Sequence, residues 1–324
     1  KSELEEKFYP LDSTADAAIL YKKRRTSFEY VPGLGFQLVT EFHHKIKIYT
    51  TKGFEKATKV VSYYDPENND SETVSSIKGY TFNIVGGKVK KEKLTKKSIF
   101  KERLSKYRSL KKITMPNIKK GCVIELKYKI ISPYTSSVRD VQFQYDIPVK
   151  KSSIRIEIPE FYTFNKKNKG YYFVPMKEEV RVRKIGNLDY RINISKFDTE
   201  NIPALKDNEP FVSNIKNYRG GIKFELTKTD FFLIGGEIKN YSTSWNDVSR
   251  QIYKSSSFGG ELNKTSYYKK DLAVVLSNAK TESDKLIAVF NFIKTKVKWN
   301  SYYGKFSDKG VRRAYKESVG NTAD

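Results

Sequence analysis

The feature that most constrains this chain is a two-residue alternation of apolar and polar side chains, interrupted at short intervals by turn-forming residues. Residues 36–49 read FQLVTEFHHKIKIY, with Phe42, Ile46 and Ile48 on one side. Successive side chains of a strand point to opposite faces, so this pattern predicts a half-buried strand. Thr51-Lys52-Gly53 supplies a turn, ATKVVSYY (57–64) a second strand, and the polar run 65–70 a loop. Residues 77–85 alternate again, and Gly86-Gly87 leads as a two-residue hairpin into KVKKEKL. In CVIELKYKII, Cys122, Ile124, Leu126, Tyr128 and Ile130 oppose Val123, Glu125, Lys127 and Lys129, which places Cys122 on the apolar side. Further strands are predicted at 141–145, 153–158 and 171–174, in RVRKI and LDYRINI on either side of Gly186-Asn187, and in IKFELTK and FFLIG. Short, regularly spaced strands imply a mainly β fold, an antiparallel β-sandwich region of one or two stacked sheets, and exclude alternating β and α units.

Beyond residue 236 the character becomes helical. Ser244-Trp245-Asn246-Asp247 reads as a cap and first turn, and T-E-S-D at 281–284 as a capping box with Asp in place of Glu. The following stripe of Leu286, Ile287, Phe290, Ile293 and Val297 predicts an amphipathic helix with its apolar face in a core. Trp299, a turn at Tyr303-Gly304 and a short helix from Gly310-Val311 complete the region. The expected organisation is a β region over 1–236, either undivided or with a break near 150, and a helical region over 237–324.

Chemistry is sparse. The one cysteine, Cys122, cannot form an internal disulfide, and mid-strand among apolar neighbours it reads as a buried structural residue. His43 and His44 are adjacent, so on a strand they face opposite ways and at most one serves a given site. Two histidines are too few for a histidine-rich metal centre, and no nucleophile elbow, zincin motif, phosphate loop or dinucleotide fingerprint occurs. No cofactor and no metal are expected. Net charge is +25, with residues 86–121 carrying 12 Lys and 2 Arg against 2 Glu. Such a field attracts anionic surfaces, although Lys interleaved with Val89, Leu94, Ile99 and Phe100 reads first as a solvated strand face. No run approaches the ~18 consecutive apolar residues of a membrane span.

The tail carries more information. Its order is an amphipathic helix, Val297-Lys298-Trp299-Asn300, Tyr302-Tyr303-Gly304, a short helix, and Gly320-Asn321-Thr322-Ala323-Asp324. This resembles the entry to the transglutaminase-like fold, where Gly-x-Cys-x-Asp opens the helix bearing the catalytic thiol. The residues 12–17 (DSTADA), KIKIYT, KKSIF, MPNIKKGCVIE, Ser132-Pro133, QYDIPV and Ile158-Pro159-Glu160 extend the likeness. They resemble the domain of unknown function 3857 family, a β-domain found upstream of transglutaminase-like domains in Gram-negative bacterial proteins. The resemblance implies that Thr322 stands at the nucleophile position, between Gly320 and Asp324. A hydroxyl is a far poorer nucleophile than a thiol of pKa roughly 8.5, so no catalytic residue and no enzyme activity are expected of this chain. It further implies an extracytoplasmic location, periplasmic, outer-membrane associated or secreted, and a non-catalytic binding or scaffold role with a protein or glycan of the cell envelope as partner. The basic stretch 88–120 offers contact with an anionic surface, and no nucleic acid is expected, since no nucleic-acid module is visible. The alternative is the first part of a transglutaminase-like amidase or peptidase whose remaining catalytic residues lie after residue 324.

Overall fold

The computed structural model describes residues 1–66, 70–212, 214–241 and 244–324; residues 67–69 of the expected polar loop lie outside the described residues. The chain forms two compact units, Lys1–Leu104 with Arg108–Tyr241, and Ser105–Tyr107 with Ser242–Asp324.

The first unit opens with a helical turn, α1 (Ser2–Glu5), and continues in strands β1 (Ala17–Val31), β2 (Gly35–Ile48), β3 (Thr58–Tyr64), β4 (Thr73–Val85), β5 (Lys88–Lys93), β6 (Ile99–Ser105), β7 (Arg108–Thr114) and β8 (Val123–Ser132). There follow β9 (Val141–Gln142), β10 (Val149–Pro159), β11 (Tyr162–Lys169), β12 (Lys177–Ile185), β13 (Leu188–Ile202), β14 (Gly221–Asp230) and β15 (Ile238–Asn240). Eight of them form one open sheet in the order β12-β13-β10-β1-β2-β8-β4-β5, a second sheet runs β3-β7-β6, and a third joins β11, β14, β15 and β9. Pairing in the large sheet is antiparallel except between β1 and β10, which run parallel with Arg25 beside Arg155 and Ser27 beside Glu157.

One core joins the sheets. Phe28, Leu38, Leu126 and Ile156 of the large sheet cluster with Val61 and Ile113 of the second and with Tyr162, Phe164 and Phe224 of the third. Phe28 lies 4.6 Å from the Tyr162 ring centre. Burying each such side chain contributes about 1.5–3 kcal/mol. The fold is mainly β in stacked sheets, as the alternation requires.

Two local expectations need correction, and one strand was not expected. The strand expected at 171–174 is irregular, and its neighbour β11 at Tyr162–Lys169 takes the place in the sheet. FFLIG forms a 3-10 turn over Phe232–Ile234, and β15 supplies the partner of β14 instead. The long strand β1 was not signalled at all, because its inward positions include Lys22 and Arg24, which are both buried. Their charges sit where an apolar alternation would be looked for.

The second unit contains α2 (Trp245–Lys254), α3 (Gly259–Leu262), α4 (Lys269–Val275), α5 (Glu282–Lys296), β16 (Lys298–Trp299), α6 (Val311–Glu317) and β17 (Val319–Gly320). Ser244 with Asp247 caps α2, and Thr281 with Asp284 caps α5, each as a reciprocal capping box. The apolar stripe of α5 is not core, contrary to its periodicity: Leu286 is 73% and Phe290 64% exposed, and no residue of the helix is buried.

Candidate functional site

The tail forms a closed loop. β17 lies parallel to β16, pairing Trp299 with Gly320, and the Asn300 amide donates to the Gly320 carbonyl at 2.9 Å. Asn321 then folds the chain back, its side-chain oxygen accepting from the Ala323 amide at 2.7 Å and the Asp324 amide at 3.1 Å. The Asp324 carboxylate in turn accepts from the Asn321 amide at 2.9 Å and from the Ser307 hydroxyl. Gly320 is required by this closure, since a Cβ there would lie 2.7 Å from that of Asp324. Thr322 is exposed, and its hydroxyl donates to the Gly304 carbonyl at 2.7 Å. A carbonyl cannot take up the proton that an attacking hydroxyl must lose, so this bond does not activate Thr322.

The other residues singled out from the sequence lie in the first unit. Cys122 is fully buried just before β8, where burial pushes its thiol pKa up. Such a thiol is inert. The two histidines face opposite sides of β2. His43 Nε2 is 2.7 Å from Glu125 on the outer side, where partial burial lowers its pKa against the pull of that carboxylate. The His44 ring lies 6.2 Å from that of Tyr128 on the inner side, and its Nε2 is buried without a hydrogen-bond partner among the described residues. Burial, with Lys59 and Lys22 nearby, holds its pKa well below the usual histidine range. In the basic stretch 88–120, β5 is exposed at every position, and Lys91 Nζ sits 3.7 Å from the Tyr80 ring centre.

A denser cationic arrangement, which the one-dimensional charge count missed, lies on the face of the large sheet opposite Lys22 and Arg24. The register sets Glu41, Arg25, Arg155 and Lys196 abreast across β2, β1, β10 and β13, with Ser27 and Glu157 in the row below. Glu157 is the organising group, its side chain only 1% exposed. Arg25 grips it from two nitrogens, Nε at 2.7 Å and Nη2 at 2.9 Å, while Arg155 Nε and Arg183 Nη2 each donate at 2.7 Å. Burial would raise the Glu157 pKa, but the bonds from Arg25 and Arg155 outweigh it and bring the carboxyl down to about 2. Arg181 and Lys196 share Glu179 beside this cluster. The basic groups Arg25, Arg155, Arg181, Arg183 and Lys196, with Lys23 and the carboxylates of Glu157 and Asp198, line a hollow of about 560 Å³.

The sequence profile described as Domain of Unknown Function, DUF3857, matches residues 37–199. The chain belongs to this family. The DUF3857 segment contains Arg155, Glu157 and Arg183 of the cationic cluster, with Arg25 preceding it and Thr322 following it. No curated protein matches the sequence. Among solved structures, a protein of Parabacteroides distasonis described as a "putative protease" shares 13% identity with TM-score 0.61, over 94% of this chain and 56% of its own. The likeness shows a common fold, and this chain spans little more than half the length of that protein. A Legionella pneumophila structure described as a "putative nutrient binding protein" matches over 89% of this chain and 83% of its own at 8% identity, with TM-score 0.25, at which no shared fold is inferred. Among the described residues, no helix is long and apolar enough to cross a membrane, and no cluster of His, Cys, Asp or Glu could hold a metal ion.

Proposed function

We propose that this chain is a non-catalytic binding or scaffold module of the bacterial cell envelope, with Thr322 at a degenerate nucleophile position of a transglutaminase-like segment. The observation that carries the reading is the Thr322 hydroxyl, which donates to the Gly304 carbonyl in place of a base. Cys122 offers no substitute, being sealed in the core of the other unit. Its partner is a protein or glycan of the envelope, met by the β-domain that makes up most of the chain. Assaying the chain for release or transfer of a glutamine amide tests the reading. No turnover is expected, and the same null result from Thr322→Ala. Turnover abolished by Thr322→Ala would overturn it.

A second reading is an amidase or peptidase whose remaining catalytic residues lie after residue 324. It draws on the description of the Parabacteroides protein, of whose length this chain covers 56%. Amide release by the parent protein that survives Thr322→Ala would favour it.

A further inference from the structure

We infer that Arg25, Arg155 and Arg183, held by Glu157, form a cradle for a phosphate monoester group carried by a larger molecule. The inference goes beyond the proposed binding role and stands whether or not the tail catalyses.

Three observations carry it. The first is that the guanidiniums are held in place. They come from β1, β10 and β12, and Glu157 accepts four hydrogen bonds from them at 2.7–2.9 Å from a side chain that is 1% exposed. Fixing planar donors before a ligand arrives removes much of the entropy cost of binding.

The second is that the cradle has donors to spare. Arg155 binds Glu157 through Nε alone and Arg183 through Nη2 alone, so each guanidinium keeps further N–H groups without a hydrogen bond among the described residues. These side chains are 28% and 39% exposed and border the 560 Å³ hollow. A guanidinium fork with free N–H groups matches the oxygens of an oxyanion.

The third is charge. Lys23, Arg25, Arg155, Arg181, Arg183 and Lys196 line the hollow with Glu157 and Asp198, an excess of four positive charges, which Glu41 on Arg25 and Glu179 on Arg181 and Lys196 reduce to two. A phosphate monoester carries about −1.5 to −2 at pH 7 and balances that excess, whereas a carboxylate balances half of it. The charge count therefore selects phosphate over a uronate. Glu157 acts here as a positioning residue: it repels an anion by its charge but holds the groups that bind one.

Calorimetric titration of the 324-residue chain at about pH 7.5, above the second phosphate ionisation near 6, tests this with inorganic phosphate, glucose 6-phosphate and glucuronate. Glucose 6-phosphate is expected to bind at least about tenfold more tightly than glucuronate. Equal binding of inorganic phosphate would assign recognition to the phosphate alone, and weaker binding would show that the sugar contributes; either agrees with the cradle. Glu157→Gln separates the cradle from diffuse attraction, because removing a negative charge strengthens diffuse attraction but dismantles the cradle. Its affinity for glucose 6-phosphate is expected to fall about tenfold. A tighter Glu157→Gln complex, equal binding of glucuronate, or no binding of either phosphate would overturn the inference. Should Glu157→Gln fail to fold, Arg183→Gln at the hollow's rim gives the same reading: an unchanged affinity would overturn it.

Discussion

Single residues in this protein depart from the simple alternation where charge is turned inward. Lys22 donates to the Gln142 carbonyl at 2.5 Å and to the Tyr145 hydroxyl, and Arg24 donates to the Asp140 and Arg139 carbonyls at 2.6 Å each. Neutral acceptors rather than carboxylates satisfy both, and burial drives the Lys22 pKa well below its usual value, with Arg24 and Lys59 adding to the effect. His44 shares this interior with Lys22 and Lys59 and stays neutral when folded. Its pKa is lowered by folding, so below about pH 6.5 the unfolded chain takes up a proton that the folded chain refuses. Stability due to His44 is therefore complete above that pH and is lost as pH falls towards the lowered value, by at most about 1.4 kcal/mol per pH unit. Urea unfolding of the first unit between about pH 6.5 and 5 should follow this slope, and His44→Phe should flatten it. An unchanged slope would mean that His44 titrates normally. The inward cations also explain why β1 escaped the sequence reading: a periodicity defined by apolar residues does not register a strand whose core positions hold Lys22, Arg24 and Thr26.

At the scale of elements, local rules read well where the partner is local. Both helix caps were legible, and at 281–284 the capping box as well, because a cap and its partner lie only three residues apart, and the Thr281 hydroxyl does accept from the Asp284 amide at 3.1 Å. Thr281→Ala should cost about 1 kcal/mol, seen as about fivefold faster amide exchange over the first turns of α5. The Gly86-Gly87 hairpin was legible for the same reason, since both glycines take positive φ, +58° and +72°. The burial of α5 was not, because an amphipathic stripe says which face is apolar and not what covers it. With Phe290 64% exposed, Phe290→Glu should change the stability of its unit by no more than about 0.5 kcal/mol. A loss of several kcal/mol in thermal unfolding would show that the stripe is covered.

For the molecule as a whole, stability rests in the shared core of the stacked sheets. Ile156 is fully buried beside β1, and Ile156→Ala should cost about 2–5 kcal/mol, lowering the midpoint of the first unit's unfolding and leaving the far-ultraviolet spectrum native below it. The sequence alone determined the strand-rich character, the helical last segment, the turns, the caps and the burial of Cys122, because each follows from side-chain period or from groups a few residues apart. The residues of the tail form one loop around Asn321 and Asp324, held by hydrogen bonds between near neighbours. Only the tertiary structure decided the cationic cradle. Arg25 and Glu157 are 132 residues apart, and Arg183 lies 26 beyond Glu157. They meet because β10 pairs parallel to β1 and next to β13, which β12 flanks. That register is set by packing the whole sheet against its neighbours, which no local pattern encodes.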